Sequence, residues 1–292
     1  MKNNPPARGV RRFFQFSRFS SIINMKSIAH EAVFNQIMES LEKGVIPWRK
    51  PWKNSTPRNG LTNRKYSGIN FFILSASGYA DERWLTYRQV KELGGEVKKG
   101  EKSKQIVFWN ILSKEQDGKK KNIPLLKYFN VFNIEQTEGI KVDTIELEPN
   151  LTAESIVEGY TDKPVIKYFG NKACYIPSKD EVNMPPVNFF DSVDEFYSTL
   201  FHELSHSVLH ETRMNRKIDT VFGSRLYTEQ ELEAEFSSAF LCNESGIDNT
   251  LENSAAYIQS WMKSFKDNPD IIITAASKAQ KTADYILKQQ TV

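Results

Sequence analysis

"TLFHELSHSVLH", residues 199–210, holds three of the four histidines of a 292-residue chain within nine positions. The wider stretch "FFDSVDEFYSTLFHELSHSVLHE", residues 189–211, has the marks of a long helix. Ser192 is placed to cap it, and Glu195, three residues on, completes a capping-box pattern. Val193, Phe196, Leu200, Leu204 and Val208 recur at helical spacing and predict one buried stripe. His202 and His206 are four apart, so their rings lie one above the other on a single face, with Glu203 beside them. This is H-E-x-x-H, in which two neutral imidazoles bind Zn²⁺ and the glutamate takes a proton from the water held between. The competing explanation is a solvated helix face that happens to carry paired histidines. Four histidines in the whole chain make that coincidence rare, and the helix context is the one the chemistry needs. Metal binding is the better account.

Two nitrogens leave such a site too open, so a third ligand is required. His210 lies eight residues from His202, about 12 Å along a helix, and one ion cannot reach both. The spacing also lacks the glycine and the later histidine of H-E-x-x-H-x-x-G-x-x-H, so His210 reads as a helix-end residue. The better source is "YTEQELEAEFSSAFLCNESG", residues 227–246. Leu232, Phe236, Ala239 and Phe240 form an apolar stripe that docks this second helix. Glu231 and Glu235 stand one turn apart on an adjoining face. One can bind the ion while the other accepts the outer N–H of a ligand histidine. Glu231 is assigned to the metal and Glu235 to that supporting position, or to ligation in its place. Glu229 and Glu233 read as solvated acids, and Tyr227 is a weak candidate for an oxyanion donor.

Charge divides the chain in two. Residues 1–140 carry 25 Lys and Arg against 12 Asp and Glu, whereas residues 141–292 carry 14 against 24. Such a split suggests two modules with different partners, the first a polyanion. No run of about 18 apolar residues occurs, which excludes a membrane-spanning helix. Cys174 and Cys242 form no CxxC pair, which argues against a thiolate metal site and for a reducing, cytoplasmic setting.

The organisation follows from punctuation. Residues 1–24 contain five basic residues and no acidic ones, without the apolar core of a secretory signal, and read as a disordered extension. A helix is expected from Ser27 to Gly44, then a proline-held extended segment "GVIPWRKPWKN", residues 44–54. Residues 59–79 read as a turn, a basic loop and an apolar helix. "WLTYRQVKELGG" reads as a helix closed by Gly94-Gly95, followed by a basic turn, a strand, a second turn at "KKKN" and a strand of alternating aromatics. These predict an α+β module over residues 25–138 and a linker over 139–153. Residues 154–292 follow as a second module, with a short helix, a strand pair ("VIKYFG", "ACYIPS"), a proline-rich stretch and then helices.

The first module interleaves aromatics with cations. Trp48 and Trp52 alternate with Arg49, Lys50 and Lys53. Arg64, Lys65 and Tyr66 follow, then Lys98, Lys99, Lys102 and Lys104. Aromatic faces stack unpaired bases with little regard for sequence while cations track phosphates, so the pattern suits single-stranded nucleic acid. Equally, both tryptophans can anchor a proline-rich turn while the lysines are simply solvated.

Several motifs in order carry a resemblance. "LEKGVIPWRKPW", "RKYSGIN", "LTYRQVKELGGEVKKGEKS" and "VFNIEQTEG" in the first module, and "YIPSKDEVNMPP", "FYSTLFHELSHSVLHETRMNR" and "ELEAEFSSAFLC" in the second, are similar to the ArdC-type antirestriction proteins of plasmids and related mobile-element proteins. The resemblance runs over nearly the whole chain from Met25. It implies a single-stranded-DNA-binding domain followed by a zincin-like metallopeptidase domain, with His202 and His206 as Zn²⁺ ligands, Glu203 catalytic and an acidic ligand on the "ELEAE" helix. It also implies protection of incoming DNA from host restriction. One departure is visible: after the second histidine, where the family commonly shows an aromatic and a Thr-Gly pair, this chain has "SVL". A peptidase recruited by DNA and a DNA-coating protein whose ion only braces two helices are both compatible with these motifs.

Overall fold

The computed structural model describes residues 34–42, 46, 56–116, 119–140, 152–221, 224–247 and 255–288. Within them the chain is mixed α and β, in two units. Trp48, Arg49, Lys50, Trp52 and Lys53, and the extension over 1–24, lie outside the described residues.

The first unit begins with helix α1, residues 34–42, which buries Ile37, Met38 and Leu41. It continues through β1 (Arg58–Asn59), α2 (Ile69–Ser75), β2 (Arg83–Thr86), α3 (Tyr87–Glu92), β3 (Glu96–Val97), β4 (Lys104–Gln116), β5 (Lys119–Asn133) and β6 (Thr137–Glu138). One sheet has the order β1-β2-β5-β4, and β3 pairs with β6 in a small second one. The edge of β4 is closed by a side chain. Asn70 on α2 donates from Nδ2 to the Val107 carbonyl at 2.6 Å and accepts the Val107 N–H at 2.8 Å, standing in for a further strand.

Two expectations are corrected here. "WLT" is strand, not helix: Thr86 is the N-cap of α3, its backbone extended and its side chain in a reciprocal capping box with Gln89, so the residues before it run straight. Trp84 and Leu85 are both buried, one on each face of the sheet. "KKKN" is also strand, because the β4–β5 ladder continues out to Gln116 opposite Lys119. Three lysines and an asparagine do not read as a strand because none of them is apolar.

The second unit contains α4 (Ala153–Gly159), β7 (Val165–Tyr168), β8 (Cys174–Ile176), β9 (Glu181–Met184), α5 (Val193–Ser207), α6 (Arg225–Ser245), α7 (Ala255–Asp267) and α8 (Asp270–Leu287). The expected strand pair is not a pair. β9, hidden in the sequence by the prolines that follow it, lies between β7 and β8, parallel to the first and antiparallel to the second. That leaves β8 at the edge of its sheet.

α5 starts as expected at Ser192, whose Oγ accepts the Glu195 N–H at 3.1 Å. The return half of the capping box is redirected, since the Glu195 carboxylate accepts from the Asp191 N–H instead. Phe196, Leu200, Leu204 and Val208 are buried, but Val193 is 59% exposed because the first turn of the helix stands clear of the body. α6 packs between α5 and α8. Small polar side chains allow the approach: Ser238 Oγ donates to the Ser198 carbonyl at 2.8 Å and Ser237 Oγ to the Ala279 carbonyl at 3.2 Å.

The two units share one hydrophobic core. Its seam is a set of phenylalanines. Phe72 on α2 lies 4.7 Å from Phe236 and 4.8 Å from Phe240 on α6, centroid to centroid, and Phe71 lies 5.2 Å from Phe240. Among the described residues, no helix is long and apolar enough to cross a membrane.

Candidate metal centre

α5 and α6 present the residues singled out by the sequence to one another. His202 Nε2 and His206 Nε2 are 3.1 Å apart. Glu231 faces both, with Oε2 at 3.6 Å from His202 Nε2 and Oε1 at 3.5 Å from His206 Nε2. Among the described residues, these three form the group of ligand-type side chains whose donor atoms converge, all within 4.8 Å. A tetrahedral ion with bonds of about 2.0–2.1 Å separates its ligands by about 3.3 Å, so the spacing fits one small divalent cation. His210 lies past the end of α5, with Nδ1 2.9 Å from Thr212 Oγ1, away from the cluster.

Electrostatics point the same way. Burial disfavours charge on His202, yet the close carboxylate of Glu231, with those of Glu235 and Glu203, pushes its pKa up to about 9. Burial, helped by neighbouring His202, lowers that of His206. Burial would raise Glu231, but His202, His206 and the Tyr227 hydroxyl overcome it and hold the carboxyl down at about 2. An ionised Glu231 carboxylate facing two buried rings favours a positive charge between them.

Behind this cluster stands Glu235. Its Oε1 is 3.8 Å from His202 Nδ1, longer than a hydrogen bond, and that buried nitrogen has no hydrogen-bond partner. A histidine that ligates a metal through one nitrogen usually donates its other N–H to a carboxylate, and Glu235 stands on that side of His202. Glu233, expected to be solvated, is instead buried. Arg216 grips both its oxygens at 2.6 and 2.5 Å, and Thr282 donates to Oε1 at 2.8 Å. It faces the interior because the helix turn that aims Glu231 at the histidines aims residue 233 at α8. Glu229 is partly exposed and paired with Arg225 at 3.0 Å.

Glu203 is buried beside the histidines, and its Oε2 accepts the backbone N–H of Tyr175 at 2.7 Å. Tyr175 is in β8, so the edge strand runs along the rim of the cluster. Its hydroxyl donates to Asp180 Oδ1 at 2.9 Å, and Asp180 is held by Arg213, which also donates from Nε to the Ser207 carbonyl at 2.7 Å. Sequence reasoning missed this brace, because no spacing rule links residues 175, 180 and 213. A cavity of about 630 Å³ opens over His202, Glu203, His206 and Glu231, with Cys174, Tyr175 and Tyr227 in its wall.

The basic candidates are dispersed. Arg64 and Lys65 are exposed on the loop before α2, where Lys65 is bonded to Glu244 at 3.1 and 3.2 Å. Tyr66 is buried, its ring edge-on to Phe108 at 6.5 Å. Lys98, Lys99 and Lys102 are exposed between β3 and β4, with Lys98 Nζ donating to the Glu135 carbonyl at 2.8 Å, and Lys104, half-buried, opens β4.

Comparison with known proteins matches both units. Residues 27–132 match the N-terminal domain of anti-restriction factor ArdC, and residues 152–278 match a zincin-like metallopeptidase domain. The antirestriction ArdC protein from the R388 plasmid, solved in metal-free and Mn(II)-bound forms, is 33% identical. It superposes with TM-scores of 0.74 and 0.75 over 89% of this chain, and over 96% and 97% of that protein. An uncharacterized protein, y4eC, of Sinorhizobium fredii is 31% identical over 90% of this chain and 92% of its own length. A DNA primase TraC of Escherichia coli is 34% identical over 96% of this chain, and a second over 90%, but the chain spans only 21% and 27% of their lengths. The chain belongs to the ArdC antirestriction protein family, and its second unit is a zincin-like domain of the kind that holds a divalent metal ion.

Proposed function

We propose that this protein protects DNA from restriction as a single-stranded-DNA-binding factor, and that its second unit is a zinc-dependent peptide hydrolase. The units run over residues 25–138 and 154–292, joined by 139–153. The observation that carries the hydrolase is the convergence of His202 Nε2, His206 Nε2 and the Glu231 carboxylate in one cavity, with Glu203 beside them.

In this proposal His202, His206 and Glu231 would hold Zn²⁺, which would supply Lewis acidity to the site. Glu203 takes the proton of the attacking water and passes it to the leaving amine. Glu235 fixes the tautomer of His202 by accepting from Nδ1–H. β8 orients Glu203 through the Tyr175 N–H, and the edge groups of β8 other than that N–H are where an extended peptide would pair. The rings of His202 and His206 keep the Glu231 carboxylate ionised, and the Tyr227 hydroxyl adds to their effect.

A second role is favoured by one specific contact. Because the Glu203 carboxylate already accepts the Tyr175 N–H at 2.7 Å, it can serve as a brace between β8 and α5, and the ion as a structural clamp in a DNA-coating protein. Glu203→Gln separates the two. Full DNA protection with normal metal content and no peptide cleaved by either protein favours the clamp. Cleavage by the wild type that the variant loses favours the hydrolase.

A further inference from the structure

Two cavities, of about 830 and 380 Å³, share Asn59, Tyr66 and Phe108 in their walls, the larger between the first unit and α8 and the smaller along the β4–β5 hairpin, so that side by side they form a groove. Along one side runs a row of aromatic rings. Tyr66 stands edge-on to Phe108 at 6.5 Å, and Phe108 edge-on to Phe129 at 5.5 Å. The register pairs Ile106 with Phe129 and Phe108 with Lys127, so both phenylalanines and the lysine share one face of the β4–β5 hairpin. Phe108 is 37% and Phe129 41% exposed, unusual for phenylalanine on a sheet. Cations surround them: Lys127 beside Phe108, Arg64 on the loop before α2, and Lys281 on α8 across the groove. Of the acids bonded to groove residues, Glu244 is paired with Lys65, while Asp284 accepts from the Gln280 amide.

We infer that this groove is the seat of the unpaired strand. Bases stack on Phe108 and Phe129, and phosphates lie against Lys127, Arg64 and Lys281, so α8 of the metallopeptidase-like unit forms one wall of the DNA site. This rests on the proposal that the protein binds single-stranded DNA, and adds where. Charge complementarity selects a polyanion, and the exposed rings select one whose bases are free to stack, which a duplex does not offer. The floor does not read sequence. The Asn59 and Gln89 amides bond each other, at 3.1 and 3.3 Å, and Asn59 Oδ1 also accepts from Leu61 and Thr62 N–H, so their polar atoms are spent within the protein.

Fluorescence anisotropy of the full-length chain with a labelled oligothymidine tests this. Phe108→Ala and Phe129→Ala are expected to weaken binding roughly 5- to 100-fold each, with Phe→Trp at either position retaining it. Lys281→Ala is expected to reduce the slope of log K against log salt by about 0.7, the share of one phosphate on a single strand. Circular dichroism melts report whether each variant is folded. Wild-type binding that survives the loss of both rings, in folded variants, overturns the groove and leaves single-strand binding standing elsewhere on the protein. A wild type that does not bind oligothymidine removes the parent proposal with it. Affinity for oligouridine tenfold above that for oligothymidine overturns DNA as the occupant.

Discussion

Tyr175 donates its backbone N–H to Oε2 of Glu203 at 2.7 Å, which ties the edge strand β8 to the C-terminal half of α5. The contact fixes the carboxylate by main chain rather than by another side chain, so its position depends on the register of β8 and survives many substitutions around it.

Glu203→Gln keeps an oxygen for that N–H but cannot take a proton. Metal content and melting temperature are expected to stay within error of wild type. Any peptide hydrolysis is expected to fall by about 10²–10⁴. Parallel metal analysis and a quenched-peptide assay check both halves of this expectation.

The ligand assignment makes a graded prediction. Alanine at His202, His206 or Glu231 is expected to abolish stoichiometric metal, whereas Glu235→Ala weakens affinity by about 10–100-fold, the usual effect of losing a partner that orients a ligand. Competition with a chromophoric chelator measures all four. If Glu235→Ala strips the metal and Glu231→Ala does not, the two glutamates exchange roles.

Asp180 offers a pH test away from the metal. Burial disfavours its charge, but hydrogen bonds from Arg213 and Tyr175 outweigh that and hold its pKa below the ordinary aspartate value. Its stabilisation is therefore complete above the unfolded-chain pKa of about 4 and is lost as pH falls through the lower folded value. Asp180→Asn keeps a residue tolerant of the left-handed backbone found there, φ 49°, while removing the charge. It is expected to cost roughly 1–3 kcal/mol at pH 7, the range for a hydrogen bond to a charged group, and progressively less below about pH 4. Urea titrations at the two pH values measure the difference.

Phe72→Ala empties a fully buried site against Phe236 and Phe240. A loss of about 3–5 kcal/mol is expected, as for other large cavities. Because the seam joins the units, tryptophan fluorescence and far-ultraviolet dichroism should still report one shared transition at a lower temperature. Two separated transitions would show that the units unfold independently.

The convergence of His202, His206 and Glu231 was legible because helices obey a fixed period. Four-residue spacing stacks His202 on His206, and the same rule places Glu231 and Glu235 one turn apart. Glu233 misled because helical phase says which residues share a face but not what that face meets. Here it meets Arg216 and Thr282, brought from elsewhere in the chain. β9 escaped notice because two prolines follow it directly, and the Lys-rich start of β5 because strand-reading relies on apolar alternation. Phe129 did leave a signal, in the aromatic-rich strand "KYFNVFN", yet only the pairing of β4 with β5 shows Phe108 sharing its face.

The phenylalanine seam also sets what can be cut. α6 carries Glu231 and Glu235 on one turn and Phe236 and Phe240 on the next. Severing the chain between its halves would strip α2 from those rings and leave a greasy scar on the very rod that aims the carboxylates. Either fragment expressed alone should be sticky and the second one misaligned, so whoever dissects this molecule will need to graft a substitute for α2 before asking what one half can do.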